Sequence, residues 1–521
     1  MRALAFSPRR DTPGQQKVRL LTLLLLRRNI SFDLRTLRAS LLWREGVRFM
    51  KSVRFLIVAG VVALALTACA PVERYHPEPI VPALEARRLE SRSLSDPGLR
   101  RFMEQNTKLT SWPLKSWNLN ELALAAYYFN PQMPVARDQA EAAKAAIITA
   151  GERPNPTVTL RPGIPSPYLL GLRFDVPIQT AGRRGYKIQQ AAALSQAARF
   201  NLAAMAWKVR SGVRTALVNY FFDQKQAALA AAETGLEARQ VQGFRAQWVA
   251  GEIARPAVAS AETNLFNIRM ARHAAQGRVL EDRAALAAAI GVPERALEGT
   301  RLQWRGFAQL PSARSLSPRT IQREAVLNRL DVRQALAEYA AAEAALQLEI
   351  ARQHPNIQIG PGYDFEEGNN YFVTGLAAAL PIFNRNQGPI AQAEAARKLA
   401  AAQLMAVQAQ AIAQSEAALA SYRTALAEWR DTQKSAHEIR RVLEPLSKQS
   451  VTVGEASWMA LNGVQLQGVR AAGVALQSLD QAQQVLGQLE DAVERPLEPG
   501  EAAPAFRPAP ASRAGTKPGT K

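Results

Sequence analysis

The apolar and polar positions of this chain fall into two rhythms that adjoin. From Tyr168 to Ile178, Leu170, Leu172, Phe174 and Val176 alternate with Gly171, Arg173 and Asp175. A period of two predicts a strand with one apolar and one polar face. Pro177 cannot donate to a ladder and marks its end. The rhythm then changes. Leu194, Ala198, Leu202, Met205, Val209, Val213, Ala216 and Tyr220 recur every three or four residues, and no proline interrupts Ile188 to Arg255. This is one face of a helix continued far beyond ordinary length. At 1.5 Å per residue it makes a rod of roughly 90–100 Å. A short strand therefore feeds directly into a rod much longer than a bilayer is thick.

The unit occurs twice. The segment from Tyr371, YFVTGLAAALPIFNRNQG, repeats the pattern of YLLGLRFDVPIQTAGRRG, pairing Gly171 with Gly375 and Pro177 with Pro381. Upstream, Asn130 pairs with Asp331, and downstream Gly251 pairs with Gly454. The offsets of these three segments stay near-constant, at 204, 201 and 203. Chance likeness between Ala-rich helices would not share Gly and Pro positions as well. Each repeat reads helix, strand, hairpin, strand, long helix, Gly-marked break, returning helix. The strands are expected near 157–161 and 169–176, then 356–363 and 371–380. Alternation of this kind suits a barrel wall with lipid outside and water inside. Four strands cannot close a barrel, which takes about eight. Open edges are not tolerated in lipid, so strands in a membrane require several chains to share one barrel.

Composition narrows the class. The 521 residues are 48% hydrophobic but only 7% aromatic, which suits helix-on-helix packing better than a thick core. The formal charge is +21. Residues 1–54 hold 13 Lys and Arg against 3 Asp and Glu, so about half of that excess sits at one end and the rest is interspersed. With no nucleic-acid motif, this is a solvated mixed surface and not a nucleic-acid footprint. Residues 50–69 read as a secretion signal: Met50, Lys51 and Arg54, an apolar run Phe55–Leu66 too short to span, then Leu66-Thr67-Ala68-Cys69. That ending resembles a bacterial lipobox, which implies that Cys69 is lipidated and becomes the mature N-terminus. Ala70, where an Asp would retain the protein at the inner membrane, implies the outer one. Cys69 is the single cysteine, which leaves no intramolecular disulfide. Residues 1–49 precede a complete signal and read as an upstream extension foreign to the protein. Residues 70–118 form a Pro-rich tether, 119–293 the first repeat, 294–318 a connector, 319–493 the second repeat, and 494–521 a disordered tail.

A lipobox, a duplicated helix–strand–strand–long-helix unit, RPNPTVTL and HPNIQIG opening strands, Pro-Ile before each rod and Gly-Glu at each rod's turn together resemble the TolC-like outer-membrane efflux family. The resemblance covers about Leu119–Val493. It implies a mainly α protein with a small membrane β-barrel: a homotrimer with a twelve-stranded barrel, four strands per chain, on a long periplasmic tunnel of helices. It further implies docking on a periplasmic adaptor that joins an inner-membrane pump, of the RND type. WNLNELALAAYYFNP and AGERPNPTVTL look most similar to the heavy-metal, CzcC- or CusC-like, branch. The family places a gate at the rod tips, here Gly251 and Gly454. Its acidic positions six and nine residues later are Ala257, Ser260, Ala460 and Gly463 in this chain, so that ring is absent. Glu252 and Glu455 stand one residue after each tip Gly; they supply a substitute ring that attracts cations, or simply solvate a turn. Trp458 seats an adaptor or packs. Arg173 and Asp175 face the barrel lumen, where they bias conduction or pair with neighbours. Pro177 and Pro381 mark the strand-to-helix switch.

Enzymatic chemistry finds no support. His76, His273, His354 and His437 are scattered without metal spacing, and no phosphate loop, nucleophile elbow or zinc motif occurs. No cofactor and no metal ligand is expected. The reading is a passive conduit for small solutes, metal cations or drugs, in the outer membrane. The alternatives are a conduit for secreted protein and a periplasmic coiled-coil scaffold; a scaffold needs neither lipobox nor alternating strands.

Overall fold

The computed structural model describes residues 75–109, 111–163, 169–303, 306–312 and 315–497. Cys69, the signal, the upstream extension and most of the tail lie outside these. The chain divides into two compact units, Met1–Ile80 and Val81–Lys521. Residues 75–80 of the first form no regular element; every element below belongs to the second.

Helices α1 (Pro82–Glu90) and α2 (Pro97–Asn106) lead in. The first repeat then comprises α3 (Leu119–Phe129), α4 (Gln132–Gly151), β1 (Thr157–Gly163), β2 (Leu169–Ile178), α5 (Arg183–Val249) and α6 (Arg255–Ile290). The second comprises α7 (Pro318–Asn328), α8 (Leu330–Ala351), β3 (Ile357–Glu366), β4 (Asn369–Ala378), α9 (Gln387–Glu438), α10 (Glu444–Thr452) and α11 (Trp458–Val493). The rod α5 holds 67 residues in one helix. Its counterpart is interrupted by a π-turn at Ile439–Leu443. Pro445, which has no N–H for the carbonyl one turn back, is the cause.

The duplication is visible in backbone geometry. Gly182 and Asn386, the residues that open the two rods, are both left-handed, with φ of 72° and 63°. Gly251 and Gly454 at the tips both have φ of 79°. Each rod start is also tied to the helix before the strands. The Arg183 guanidinium donates to the carbonyls of Ala351, Arg352 and His354 at the end of α8 and to Asn356 Oδ1. Arg184 does the same to Gly151 O at the end of α4, and Asn386 to Glu349 O. Basic or amide groups thus satisfy carbonyls that a helix end leaves without partners.

The helices α4, α5, α8 and α9 pack in that lateral order. Beyond the middle of the rods, α6 packs on α5, α11 on both α5 and α9, and α10 on α11. Two apolar cores sit at mid-rod, one per repeat. The first joins α2 and α3 to the middle of α5 and the end of α6, through Leu99, Met103, Leu122, Leu217 and Leu286. The second joins α7 to α9 and α11 through Ile321, Tyr422, Leu426 and Leu486. The short helices α3 and α7 thicken the rods there. The capping box Asn118/Glu121, whose side chains and backbone N–H groups bond reciprocally, fixes where α3 starts.

The strands form one antiparallel sheet in the order β1-β2-β3-β4. Pro177 lies inside β2, paired with Gln358, one residue before its end. It is past the reach of β1, which begins at Thr157 opposite Asp175. Pro361 lies in the central strand β3, where a proline is least expected. The β2–β3 ladder skips Phe174 and Asp175 at that level, as a strand with no N–H to give must. Pro381 falls beyond β4.

Candidate functional site

The pairing sorts the sheet into two faces. Val158, Leu160, Leu170, Leu172, Phe174, Val176, Ile359, Tyr363, Phe372 and Leu376 share one. Several are well exposed: Leu160 by 61%, Phe372 by 78% and Leu376 by 76%. Large apolar side chains standing in a continuous exposed belt signal a partner or a lipid phase, not water. Thr157, Thr159, Arg161, Arg173, Asp175, Gln358 and Asp364 occupy the other face. The alternation read from β2 extends over β1 and β3 and weakens in β4, where Asn370 and Thr374 fall on the apolar face and Tyr371 and Val373 on the polar one. Arg173 and Asp175 sit on the polar side.

That face carries a reciprocal feature. Asp175 of β2 leans over Gly360 of β3, where an added Cβ would collide with its Oδ1. Asp364 of β3 leans over Gly171 of β2, with a Cβ 2.8 Å from its Oδ1. Two carboxylates per chain thus lie flat on glycines of the neighbouring strand. Sequence reasoning missed Asp364. The signal was present, since Gly171/Asp175 and Gly360/Asp364 repeat the same four-residue spacing.

The rod tips are built alike. At the first, Glu252 N–H bonds Gln247 O at 2.8 Å and Gly251 N–H bonds Trp248 O at 3.0 Å. At the second, Glu455 N–H bonds Ser450 O at 2.9 Å and Gly454 N–H bonds Val451 O at 3.2 Å. Each is a Schellman turn, whose left-handed position favours glycine. Glu252 and Glu455 occupy the same place in both turns and are exposed. At the first tip Arg255 lies over the Trp248 ring at 5.5 Å.

Trp458 does pack, and on the other repeat. A Cβ on Gly243 of α5 would lie 2.9 Å from two atoms of its indole. Trp458 remains 49% exposed, beside Val453 at 61%. Nearby Asn462, buried, donates to Leu236 O and Gln240 Oε1 of α5. The second tip is thereby seated on the first rod.

Among the described residues, no group of three His, Cys, Asp or Glu side chains could hold a metal ion. No described helix is long and apolar enough to cross a membrane.

No family model matches the chain. A structure of the outer-membrane channel OprN superposes with a TM-score of 0.59 at 16% identity, over 81% of this chain and 98% of that one. The fold is that of the outer-membrane channels. CusC, whose structures concern transmembrane channel formation, superposes with a TM-score of 0.56 at 16% identity over 82% of this chain and 99% of that one. In sequence, the chain is 28% identical over 220 residues to the cobalt-zinc-cadmium resistance protein CzcC of Cupriavidus metallidurans. That match takes in 42% of this chain and about half, 51%, of CzcC. The four-stranded sheet and the long paired rods are the parts of the outer-membrane channel fold that this chain shares.

Proposed function

We propose that the chain is the outer-membrane conduit of a three-part efflux system, a passive duct and not an enzyme. The observation that carries this is the sheet: one exposed apolar face, one polar face and two open edges, set on rods of a length that suits a periplasmic tunnel. Three copies complete twelve strands around a shared lumen. Arg173, Asp175 and Asp364 then line the wall, and Pro177 and Pro381 lie where sheet gives way to rods. Cys69 carries the acyl chains that anchor the mature N-terminus to the outer membrane. The rod tips, with Gly251, Gly454 and the half-exposed Trp458, meet a periplasmic adaptor linked to an inner-membrane pump of the RND type. Likeness to a cobalt-zinc-cadmium resistance protein supports metal cations as cargo. In a trimer, Glu252 and Glu455 place six carboxylates around the opening, which favours cations.

Native mass measurement and planar-bilayer recording of the detergent-extracted protein test this together. Three acylated copies and a steady conductance are expected, with cation preference reduced in Glu252→Gln/Glu455→Gln. A monomer that conducts nothing would overturn the conduit. Unchanged selectivity in the double variant would return both glutamates to plain turn solvation.

A further inference from the structure

The two returning helices end differently. Gly291, after α6, has φ of 88° and backs onto the end of α3, where a Cβ would lie 2.8 Å from Phe129 O. The matching position after α11 is Glu494, also left-handed with φ of 49°. A residue with a Cβ seldom adopts that conformation. Its surroundings enforce it. Arg495 N–H bonds Glu490 O, the Arg495 guanidinium pairs with Glu324 of α7 at 2.8 Å, and Leu497 N–H bonds the buried Glu490 at 2.8 Å. What glutamate adds over glycine is a carboxylate, and its Oε2 accepts the N–H of Leu330, first residue of α8, at 2.5 Å.

The group sits at the edge of a cavity of about 680 Å³ between α5, α6 and α11. Charged neighbours face it from each side: Arg329 and Asp331 at the start of α8, Asp491 one turn back on α11, and Lys208 of α5 across the cavity. From α6 only Ala285 and Ala289 line it. We propose that Glu494 makes the α11–α8 junction a proton-responsive joint, seated when the carboxyl is protonated and loosened when it ionises.

Burial, foremost, pushes this carboxyl up to about 7, with Asp331 adding to the rise and the Leu330 N–H and Arg329 opposing it. The closed joint therefore binds the proton more tightly than an open one, whose carboxyl titrates near 4.5. Its stabilisation is full below that open-state value and is lost as pH rises through about 7. Gly291 gives the matching junction of the first repeat no such group.

The test is hydrogen exchange on the full detergent-solubilised chain at pH 5.5, 7 and 8.5, corrected for intrinsic rates. Protection of the Leu330 amide is expected to fall on the order of tenfold across this range, since each unit of pKa difference is a factor of ten. Glu494→Gln, which keeps an acceptor but cannot ionise, should hold the acidic level throughout. Glu494→Gly, which restores the residue of the first repeat, should also be flat. The junction at Gly291 in the same spectra reports whether each variant is folded. A flat wild-type profile, or a Glu494→Gln profile that follows the wild type, overturns the proposal. The readout does not depend on conduction, so it stands or falls apart from the conduit reading.

Discussion

Arg210 and Arg214 lie one turn apart on α5, 1% and 2% exposed, and one fully buried carboxylate, Glu490 of α11, meets both. Its Oε2 is 3.5 Å from Arg210 Nη1 and 3.3 Å from Arg214 Nε. Arg214 also donates to the carbonyl and side-chain oxygens of buried Gln483. Gly487 leaves room for this, since a Cβ there would lie 2.7 Å from Arg214 Nη1. Removing the carboxylate takes the counter-charge from two guanidiniums held away from water. Glu490→Gln is therefore expected to destabilise the fold by about 3–5 kcal/mol. Thermal unfolding in detergent checks this, with Glu252→Gln at the exposed tip as a control expected to move the midpoint little. The network was not legible in the sequence. Of the apolar stripe from Leu194 to Tyr220, Val209, Val213 and Ala216 are buried, whereas Leu194 is 47% exposed. Nothing in that stripe shows that the adjacent arginines turn inward. That depends on α11, more than two hundred residues away in the chain.

At the scale of elements, what could be read is what leaves a mark on residue identity. Left-handed turns select glycine, so Gly251 and Gly454 announced both tips. Alternation marked β2, where one face must be apolar, and the duplication carried the reading to the strands of the second repeat. Pro361 inside β3 and Glu494 in a left-handed cap break those local rules, and a local reading cannot foresee them. Contacts between repeats were also hidden, the seat of Trp458 on Gly243 among them. That seat has a testable consequence. Gly243→Ala places a methyl where the indole lies, so the second tip must shift while the first, built only from α5 and α6, need not. Limited proteolysis should show faster cleavage around Val453–Ala456 in this variant, with the turn around Ala250–Ala254 unchanged. Equal cleavage at both tips would show that Trp458 does not hold the second one in place.

At the scale of the whole molecule, the open sheet sets the requirement. Strands β1 and β4 are the two ends of the ladder, and edge strands carry rows of unmet N–H and C=O groups that lipid cannot satisfy. The same chain leaves α4 and α9 at opposite ends of its helix layer. Both still expose apolar side chains, Val135 and Ile148 on α4 and Leu399 and Met405 on α9. One side of the chain thus ends in β1 and α4, the other in β4 and α9. A head-to-tail contact between copies covers both at once, and a rotation that closes makes a ring. Four strands per copy exclude closure by a single chain, since about eight are needed. Cysteine pairs can catch the seam. Thr159→Cys on β1 would be combined in turn with Tyr371→Cys, Val373→Cys or Gly375→Cys on β4, all on the polar face of the sheet. A disulfide needs Cβ atoms about 3.5–4.5 Å apart, so only the variant in the native register should cross-link. It should give a covalent ladder that stops at three copies, with each single variant giving none. A ladder stopping at two would mean an eight-stranded barrel. A ladder without a stop would mean an open filament, and either result would break the link between the sheet edges and a trimeric duct.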